Sequence, residues 1–174
     1  MTTKLKAGNF QFVNRLTGAQ IEQLWRMYQG EWWSRGRNIN DVRRAVEHSD
    51  LVFAYCVAET GRLAAFTRVL TDFVYKAVLF DVIVDRPYRD LGLGRTLLEA
   101  VTSHPALLFV EHIELYCRPE LIPFYEQWGF TAHLGKLCFM RRTPEPLSRS
   151  APGTSQTQIW PSALTRSCTS DGVR

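Results

Sequence analysis

The sequence predicts an α/β fold, in which a mixed, mostly antiparallel sheet of about seven strands carries helices on both faces. Two apolar strand-like runs flank the tight turn Thr60-Gly61 and form a hairpin. Downstream, strand-like runs alternate with amphipathic helical stretches, an order that makes the sheet mixed and packs helices against it. With 174 residues, 45% of them hydrophobic and 22% charged, the chain has the composition of one globular domain.

The first half of the chain is expected to form the hairpin, a preceding strand and two helices. A capping box formed by Thr17 and Gln20 predicts the start of the first helix. One stripe of that helix is apolar and consists of Ile21, Leu24, Trp25 and Tyr28. Asn40 is expected to cap a shorter second helix that ends near Ser49. The three predicted strands span residues 9–16, 51–59 and 63–70.

The second half is expected to begin with a strand buried on both faces, residues 77–84, which only Asp81 interrupts. The elements predicted after it are a helix to about residue 103, a strand at 113–117, a helix at 120–128 and a last strand at 137–141. From Thr143 onward, 11 of 32 residues are Ser or Thr and four are Pro. This composition predicts a domain over residues 1–142 and a disordered tail over residues 143–174.

The most informative segment is the glycine-rich turn between the buried strand and the following helix, Arg-Asp-Leu-Gly-Leu-Gly-Arg at residues 89–95. A strand, a glycine turn and a helix start direct free backbone N–H groups and the positive end of a helix dipole at an anion. Gly92 and Gly94 have no Cβ, so a phosphate can approach the backbone. The turn lacks the Lys-Ser/Thr pair of a Walker loop, and Leu97 stands where a dinucleotide fingerprint has its third glycine.

The pattern Arg89-x-x-Gly92-x-Gly94 resembles the pyrophosphate-binding motif of the GNAT superfamily, the acetyl-CoA-dependent N-acyltransferases. The order of elements over roughly residues 8–142 agrees with that resemblance. It implies transfer of an acetyl group from acetyl-CoA to a primary amine by direct attack in a ternary complex, with no metal. It also implies, together with the turn, the following cofactor contacts: Val82, Ile83, Val84, Arg89, Asp90, Leu91, Gly92, Leu93, Gly94, Arg95 and Thr96.

Two residues are candidate catalytic groups. The helix that carries Tyr125 is followed by Gly-Phe and resembles a second GNAT signature, in which the tyrosine protonates the departing CoA thiolate; the alternative is a tyrosine of the core. A phenol with a pKa near 10 stays protonated at neutral pH. Asp81 is a lone carboxylate in an apolar strand. Burying a carboxylate costs free energy unless it is paired or protonated. Asp81 is expected either to act as the base, directly or through water, or to be held by backbone donors or an ion pair where the strands separate. Glu111 and Glu114 are the fallback bases.

The amine acceptor, a small molecule or a peptide, is expected to contact the segment after the first helix. Trp32, Trp33, Arg35 and Arg37 form an aromatic and cationic cluster there that can stack on an amine or hold a carboxylate. The alternative is that one tryptophan packs in the core and the arginines are solvated. The four histidines share no metal-ligand spacing, and the four cysteines are expected to be buried free thiols.

The charge and hydropathy patterns restrict the other partners. The net charge of +4 suits a phosphorylated ligand, but without a run of five Lys or Arg no nucleic acid is expected. No apolar stretch reaches 18 residues and the first residues lack a signal-peptide core, so we expect no membrane and a cytoplasmic location. A homodimer is left open. Two alternatives to an enzyme stand: a GNAT-like sensor or partner module that binds acyl-CoA without turnover, and an unrelated phosphate-binding α/β domain.

Overall fold

The computed structural model describes residues 9–143. Residues 9–135 lie in one compact unit and residues 136–143 in a second. The first unit contains a five-stranded sheet in the order β1-β2-β3-β4-β5. The strands are β1 (Phe10–Val13), β2 (Leu51–Val57), β3 (Leu63–Thr71), β4 (Lys76–Val84) and β5 (His112–Leu115). The helices are α1 (Gly18–Gln29), α2 (Ile39–Glu47), α3 (Leu93–Thr102) and α4 (Ile122–Tyr125).

The sheet is mixed and mostly antiparallel, which confirms that part of the predicted fold. The strands β1 to β4 pair antiparallel, whereas β4 and β5 pair in parallel because the chain between them crosses over through α3. The β3–β4 hairpin is closed by Asp72, whose carboxylate accepts hydrogen bonds from the backbone N–H groups of Val74, Tyr75 and Lys76. These donors lower the pKa of Asp72.

Each face of the sheet carries its own apolar core. On one face, α3 packs Leu97, Leu98 and Val101 against Ala77 and Leu79 of β4. The other face is covered by the first two helices. The core there includes Leu24, Tyr28, Val42, Phe66 and Ile83. Helices therefore lie on both faces, as the sequence predicts.

The capping box of α1 is confirmed. Gln20 N–H donates to Thr17 Oγ1, and Thr17 N–H donates to Gln20 Oε1. The predicted cap of α2 is wrong by two residues, because Asn38 is the N-cap and its side chain accepts from Asn40 N–H at 2.7 Å. An Asn two residues earlier satisfies the same unpaired N–H groups.

Three further predictions about elements are corrected. The described residues form five strands rather than seven. The predicted strand at 137–141 is absent, and residues 136–143 form neither helix nor strand; Leu137, Phe139 and Met140 are exposed there. A short apolar run without ladder hydrogen bonds does not form a strand alone.

The predicted helix at 120–128 is broken into three pieces: a 3-10 turn at Pro119–Leu121, α4, and a 3-10 turn at Glu126–Trp128. Pro119 and Pro123 lack the N–H that a regular helix needs. The predicted tail at 143–174 lies outside the described residues apart from Thr143.

Candidate functional site

The strands β4 and β5 separate half-way along β4. They pair from Lys76 with His112 to Leu79 with Leu115, and β4 then continues to Val84. Within the described part of the chain, residues 80–84 have a partner strand only on the β3 side. An edge without a partner strand can receive an extended ligand, which adds to the sheet as a further strand would. This segment contains Val82, Ile83 and Val84, which were predicted to contact the cofactor.

A β-bulge at Asp81 lies where the two strands separate. The φ of Asp81 is +60°, and the register between β3 and β4 shifts at this point. Two residues of β4, Asp81 and Val82, thus face the single residue Thr67, whose hydroxyl donates to the carbonyl of Phe80 at 2.8 Å. A bulge bends its strand and redirects its side chains, and β4 leaves β5 here.

The carboxylate of Asp81 is held between two arginines. Its Oδ1 lies 3.0 Å from Arg37 Nη1 and its Oδ2 lies 2.6 Å from Arg68 Nε. The Asp81 side chain is only 4% exposed, so removing it from water is costly unless opposite charges and hydrogen bonds compensate. The two guanidinium groups supply both. The ion pair that was one of the two interpretations of Asp81 is therefore present.

Arg37 is fixed by aromatic side chains as well as by Asp81. Its guanidinium carbon lies 4.7 Å from the ring centre of Tyr28 and 5.2 Å from that of Trp33. Burial, followed by the negative charge of Asp81, raises the pKa of Tyr28 well above its usual range. The backbone carbonyl of Arg37 accepts from Trp25 Nε1 at 3.0 Å. These contacts hold the segment between α1 and α2 against the bulge of β4.

The predicted acceptor residues do not all lie in one place. Trp33 packs edge-on against buried Tyr28, and both rings contact the guanidinium of Arg37. Trp32 is 63% exposed, and the guanidinium of Arg118, which follows β5, lies 5.3 Å from its ring centre. Arg35 is exposed. Trp32 and Arg118 thus face each other across the gap between β4 and β5.

The glycine-rich turn presents uncapped backbone N–H groups. Gly92 is the N-cap of α3 with φ +83° and no side-chain cap, and the preceding Asp90 also has a positive φ of 63°. Thr96 N–H donates to the carbonyl of Gly92 at 3.0 Å, so the N–H groups of residues 93–95 precede the first helical hydrogen bond. A Cβ added at Gly92 would meet no atom within 4 Å. The space in front of the turn is open, as an anion site requires.

Other predicted cofactor residues have definite partners. Arg89 donates from Nε to the carbonyl of Val84 at 3.1 Å and pairs through Nη2 with Glu31 at 2.5 Å. A cavity of about 190 Å³ lies beside these residues, between the end of α1 and the end of β4. The hydroxyl of Thr96 donates to the carbonyl of Gly92, so it stabilises the first turn of α3. Arg95 stacks 5.1 Å above the ring of Trp128. The side chain of Leu93 is buried in the core and that of Leu91 packs against it.

Tyr125 lies in the α3-side core and is 8% exposed. Its ring packs edge-on against Phe124 and Phe130 at centroid distances of 5.1 and 6.0 Å. Burial, followed by the charge of the nearby Cys117, raises the pKa of Tyr125 to about 12. No buried polar side-chain atom of the described residues lacks a hydrogen-bond partner, and none of those residues partners the Tyr125 hydroxyl. The hydroxyl therefore reaches solvent and is free to donate.

The thiols, histidines and carboxylates of the described residues bear on a possible metal site. Within residues 9–143, no group of three His, Cys, Asp or Glu could hold a metal ion. Cys56 is buried, but Cys117 and Cys138 are exposed, which corrects the expectation of buried thiols; Cys168 lies outside the described residues. The fallback bases Glu111 and Glu114 are exposed beside His112 and Lys76. None of the described helices is long and apolar enough to cross a bilayer.

Comparison with known proteins identifies the family. The model of the acetyltransferase (GNAT) family matches residues 19–130, a range that begins at the second residue of α1 and ends at Phe130. The chain belongs to the GNAT acetyltransferase family. This confirms the resemblance that the glycine turn indicated and removes the alternative of an unrelated phosphate-binding domain.

Individual relatives agree with a GNAT domain. The chain is 33% identical over 130 residues to serotonin N-acetyltransferase 2, chloroplastic, of Oryza sativa subsp. japonica, covering 74% of this chain and 64% of that protein. It is 27% identical over 128 residues to GCN5-related N-acetyltransferase 1, chloroplastic, of Arabidopsis thaliana, with the same two coverages. The chain therefore spans less than two thirds of these relatives. The crystal structure of a GNAT family protein from Xanthomonas campestris pv. campestris matches with a TM-score of 0.67 and 28% identity, over 80% of this chain and 98% of that one.

Two residues of the candidate site, Arg68 and Glu31, were not predicted from the sequence. Arg68 is the only charged residue of β3, as Asp81 is the only charged residue of β4 apart from its first position. Single opposite charges in two strands joined by a hairpin could have predicted their ion pair. Glu31 was passed over because nothing in the sequence places it beside Arg89.

Proposed function

We propose that this protein is an N-acetyltransferase that transfers an acetyl group from acetyl-CoA to a primary amine by direct attack in a ternary complex. The combination of an uncapped glycine turn with an edge of β4 that has no partner strand among the described residues carries the proposal. The turn at Gly92 offers N–H groups to a pyrophosphate, and residues 80–84 offer a sheet edge to an extended pantetheine arm. Family membership supports an acyltransferase.

The fit to acetyl-CoA is supported by features that an ordinary strand-to-helix turn does not need. A Cβ at Gly92 would occupy space that is open in front of the turn. Arg89 lies at the end of this strand edge and can pair with a phosphate oxygen once Glu31 releases it. When bound, acetyl-CoA supplies an activated thioester. The protein holds the thioester and the amine together in the gap between β4 and β5, so much of the rate gain comes from proximity.

We propose that Tyr125 donates a hydrogen bond to the sulfur of the departing thiolate. A hydroxyl that reaches solvent and lacks a partner among the described residues can do so. With a pKa of about 12, the phenol is a weaker acid than an ordinary thiol, whose pKa is about 8.5. Complete proton transfer to the thiolate is therefore uphill, and stabilisation through the hydrogen bond is the favoured role. The backbone N–H of Val82 is proposed to stabilise the charge that develops on the carbonyl oxygen.

The role of Asp81 as a base stays a prediction, and the contacts of its carboxylate disfavour that role. Both of its oxygens accept from arginines, and a proton on Asp81 would remove the negative charge that both ion pairs share. We propose instead that the amine loses its proton to solvent and that Asp81 holds Arg37 and Arg68 in place. The cytoplasmic location and a homodimer likewise stay predictions.

The acceptor is proposed to be an amine with an aromatic group. The rice relative is named as an N-acetyltransferase of serotonin, and aromatic side chains border the gap: Phe80 and Tyr116 lie 6.4 Å apart between ring centres, and Trp32 is exposed on the opposite side. Such rings stack on an aromatic acceptor.

A thiol-release assay tests the proposed function. The protein is mixed with acetyl-CoA and a panel of primary amines, and free CoA thiol is measured together with the N-acetylated product. We expect amine-dependent release and binding of acetyl-CoA but not of ATP by calorimetry. Binding of acetyl-CoA without release for any amine would instead support a non-catalytic acyl-CoA-binding module.

A further inference from the structure

Arg37 and Arg68 both bind Asp81, but each has further N–H donors that the carboxylate does not use. Arg37 uses Nη1 and Arg68 uses Nε for the carboxylate, and a guanidinium has five N–H donors. Both Nη groups of Arg68 donate to no acceptor among residues 9–143. Since none of the buried polar side-chain atoms there lacks a partner, these Nη groups reach solvent although the side chain is only 12% exposed.

The two guanidinium groups are held rigidly. Arg68 lies with its guanidinium carbon 4.7 Å above the ring of Phe80, its neighbour across β3 and β4. Arg37 is 34% exposed and lies against Tyr28 and Trp33. A donor pair fixed on aromatic faces loses little conformational entropy when it binds an anion.

The charge of this region also favours an acceptor that carries a negative group. Arg37, Arg68 and Arg118 contribute three positive charges, whereas Asp81 and Glu120, the ion-pair partners of these arginines, contribute two negative charges. A simple protonated amine would approach a net positive surface, which disfavours its binding. A carboxylate on the same molecule removes that repulsion and can take the unused guanidinium donors.

We infer that Arg37 and Arg68 form a carboxylate-binding subsite, and that the acceptor is a primary amine bearing a carboxylate within a few bonds of its nitrogen, as an α-amino acid does. Asp81, which both arginines bind, directly precedes Val82 on β4, so we expect the amine and the anion to be close together. Arg68 and Arg37 are specificity-determining residues that would contact this carboxylate. The inference rests on the proposed function and narrows its acceptor.

Matched acceptors that differ only in the carboxylate test the subsite. Tryptophan is compared with tryptamine, and phenylalanine with phenethylamine, by kcat/KM in the thiol-release assay. We expect the wild-type protein to prefer the carboxylate member of each pair by about tenfold or more, which is the worth of one hydrogen bond between charged groups. Arg68→Gln should abolish that preference, and Arg68→Lys should restore part of it because the charge returns without the fork.

The controls separate this inference from a folding defect and from failure of the proposed function. Arg44→Gln, on the exposed surface of α2, should leave the preference unchanged, and acetyl-CoA affinity and thermal unfolding are measured for every variant. Where Arg68→Gln fails to fold, Arg37→Gln replaces it. Equal or better turnover of the amines without a carboxylate overturns the subsite and leaves the proposed function standing. If no acceptor releases thiol, the proposed function fails; calorimetry with CoA and N-acetyltryptophan or N-acetyltryptamine then decides the subsite, and equal affinities overturn it.

Discussion

Replacement of Gly92 by Ala separates the role of the glycine turn in binding from its role in folding. Gly92 has φ +83° and open space around its added Cβ. Gly61, in the β2–β3 turn, has φ +67° and equally open space. Alanine at either position is strained by the left-handed backbone conformation, at a cost of about 1–2 kcal/mol. The two variants Gly92→Ala and Gly61→Ala are therefore matched in stability and differ only in their distance from the proposed pyrophosphate site.

The magnitude of the binding defect follows from the turn. The new Cβ at Gly92 would directly precede the N–H groups of residues 93–95, which come before the first helical hydrogen bond, and we expect it to keep a phosphate from at least one of them. Loss of one hydrogen bond to a charged phosphate costs about 1.5–3 kcal/mol. We expect the Kd for acetyl-CoA to rise about tenfold to about a hundredfold in Gly92→Ala. In Gly61→Ala it should not change.

Calorimetric titration with acetyl-CoA measures both variants, and thermal unfolding provides the control. We expect Tm to fall by about 2–8 °C in each variant. Equal acetyl-CoA affinity for Gly92→Ala, Gly61→Ala and the wild-type protein would refute the assignment of the turn as a pyrophosphate site. A defect shared by both variants would show that stability, rather than contact, governs binding.

Three further predictions concern Tyr125 and Asp81. Tyr125→Phe should lower kcat by about a hundredfold with little change in acetyl-CoA Kd, and an unchanged kcat in steady-state assays would remove the hydroxyl from the reaction. The folded-state pKa of Tyr125 of about 12 lies above the unfolded value of about 10. Its contribution to stability is thus fully present below about pH 10 and is lost as the pH rises through about 12, by about 2–3 kcal/mol. Urea unfolding across that range should show a smaller loss in Tyr125→Phe, and identical alkaline slopes would contradict the buried environment of the phenol. Asp81→Asn should destabilise the fold by about 2–4 kcal/mol, because two guanidinium groups lose their shared anion, and should raise the acceptor KM; normal stability with only kcat lost would point to a base after all.

The glycine turn could be read from the sequence because its signal is local. Gly92 is needed where the backbone enters the left-handed region, and Arg89 stands at a fixed distance from it in the chain. The helix after the turn is predicted by leucines that recur at helical spacing. The family model matches residues 19–130, a range that includes this turn.

The contacts of Asp81 depend on features that no local pattern encodes. Its partner Arg68 is on the neighbouring strand and Arg37 is 44 positions away in the chain. The bulge that turns Asp81 toward both is a property of the strand pairing, since it appears as a register shift against β3. The sequence indicated that a buried carboxylate at Asp81 needs a compensating partner, but it did not identify the two arginines.

The missing strand at 137–141 has a related cause. Alternation of apolar residues indicates that a segment suits a sheet, but a strand forms only where a partner supplies its ladder of hydrogen bonds. Residues 136–143 have no such ladder. The helix at 120–128 was predicted as continuous because its apolar periodicity outweighed Pro119 and Pro123, whose missing N–H groups divide it.

In the proposed reaction, one acetyl group passes directly from acetyl-CoA to an amine held in the gap between β4 and β5. Mass spectrometry with isotopically labelled acetyl-CoA and an amino acid acceptor tests it most directly. We expect the label to appear on the nitrogen of the acceptor in equal amount to the released CoA thiol, with no label on the protein. Label that accumulates on the protein before the acceptor is added, or thiol released without labelled amide, would contradict direct transfer.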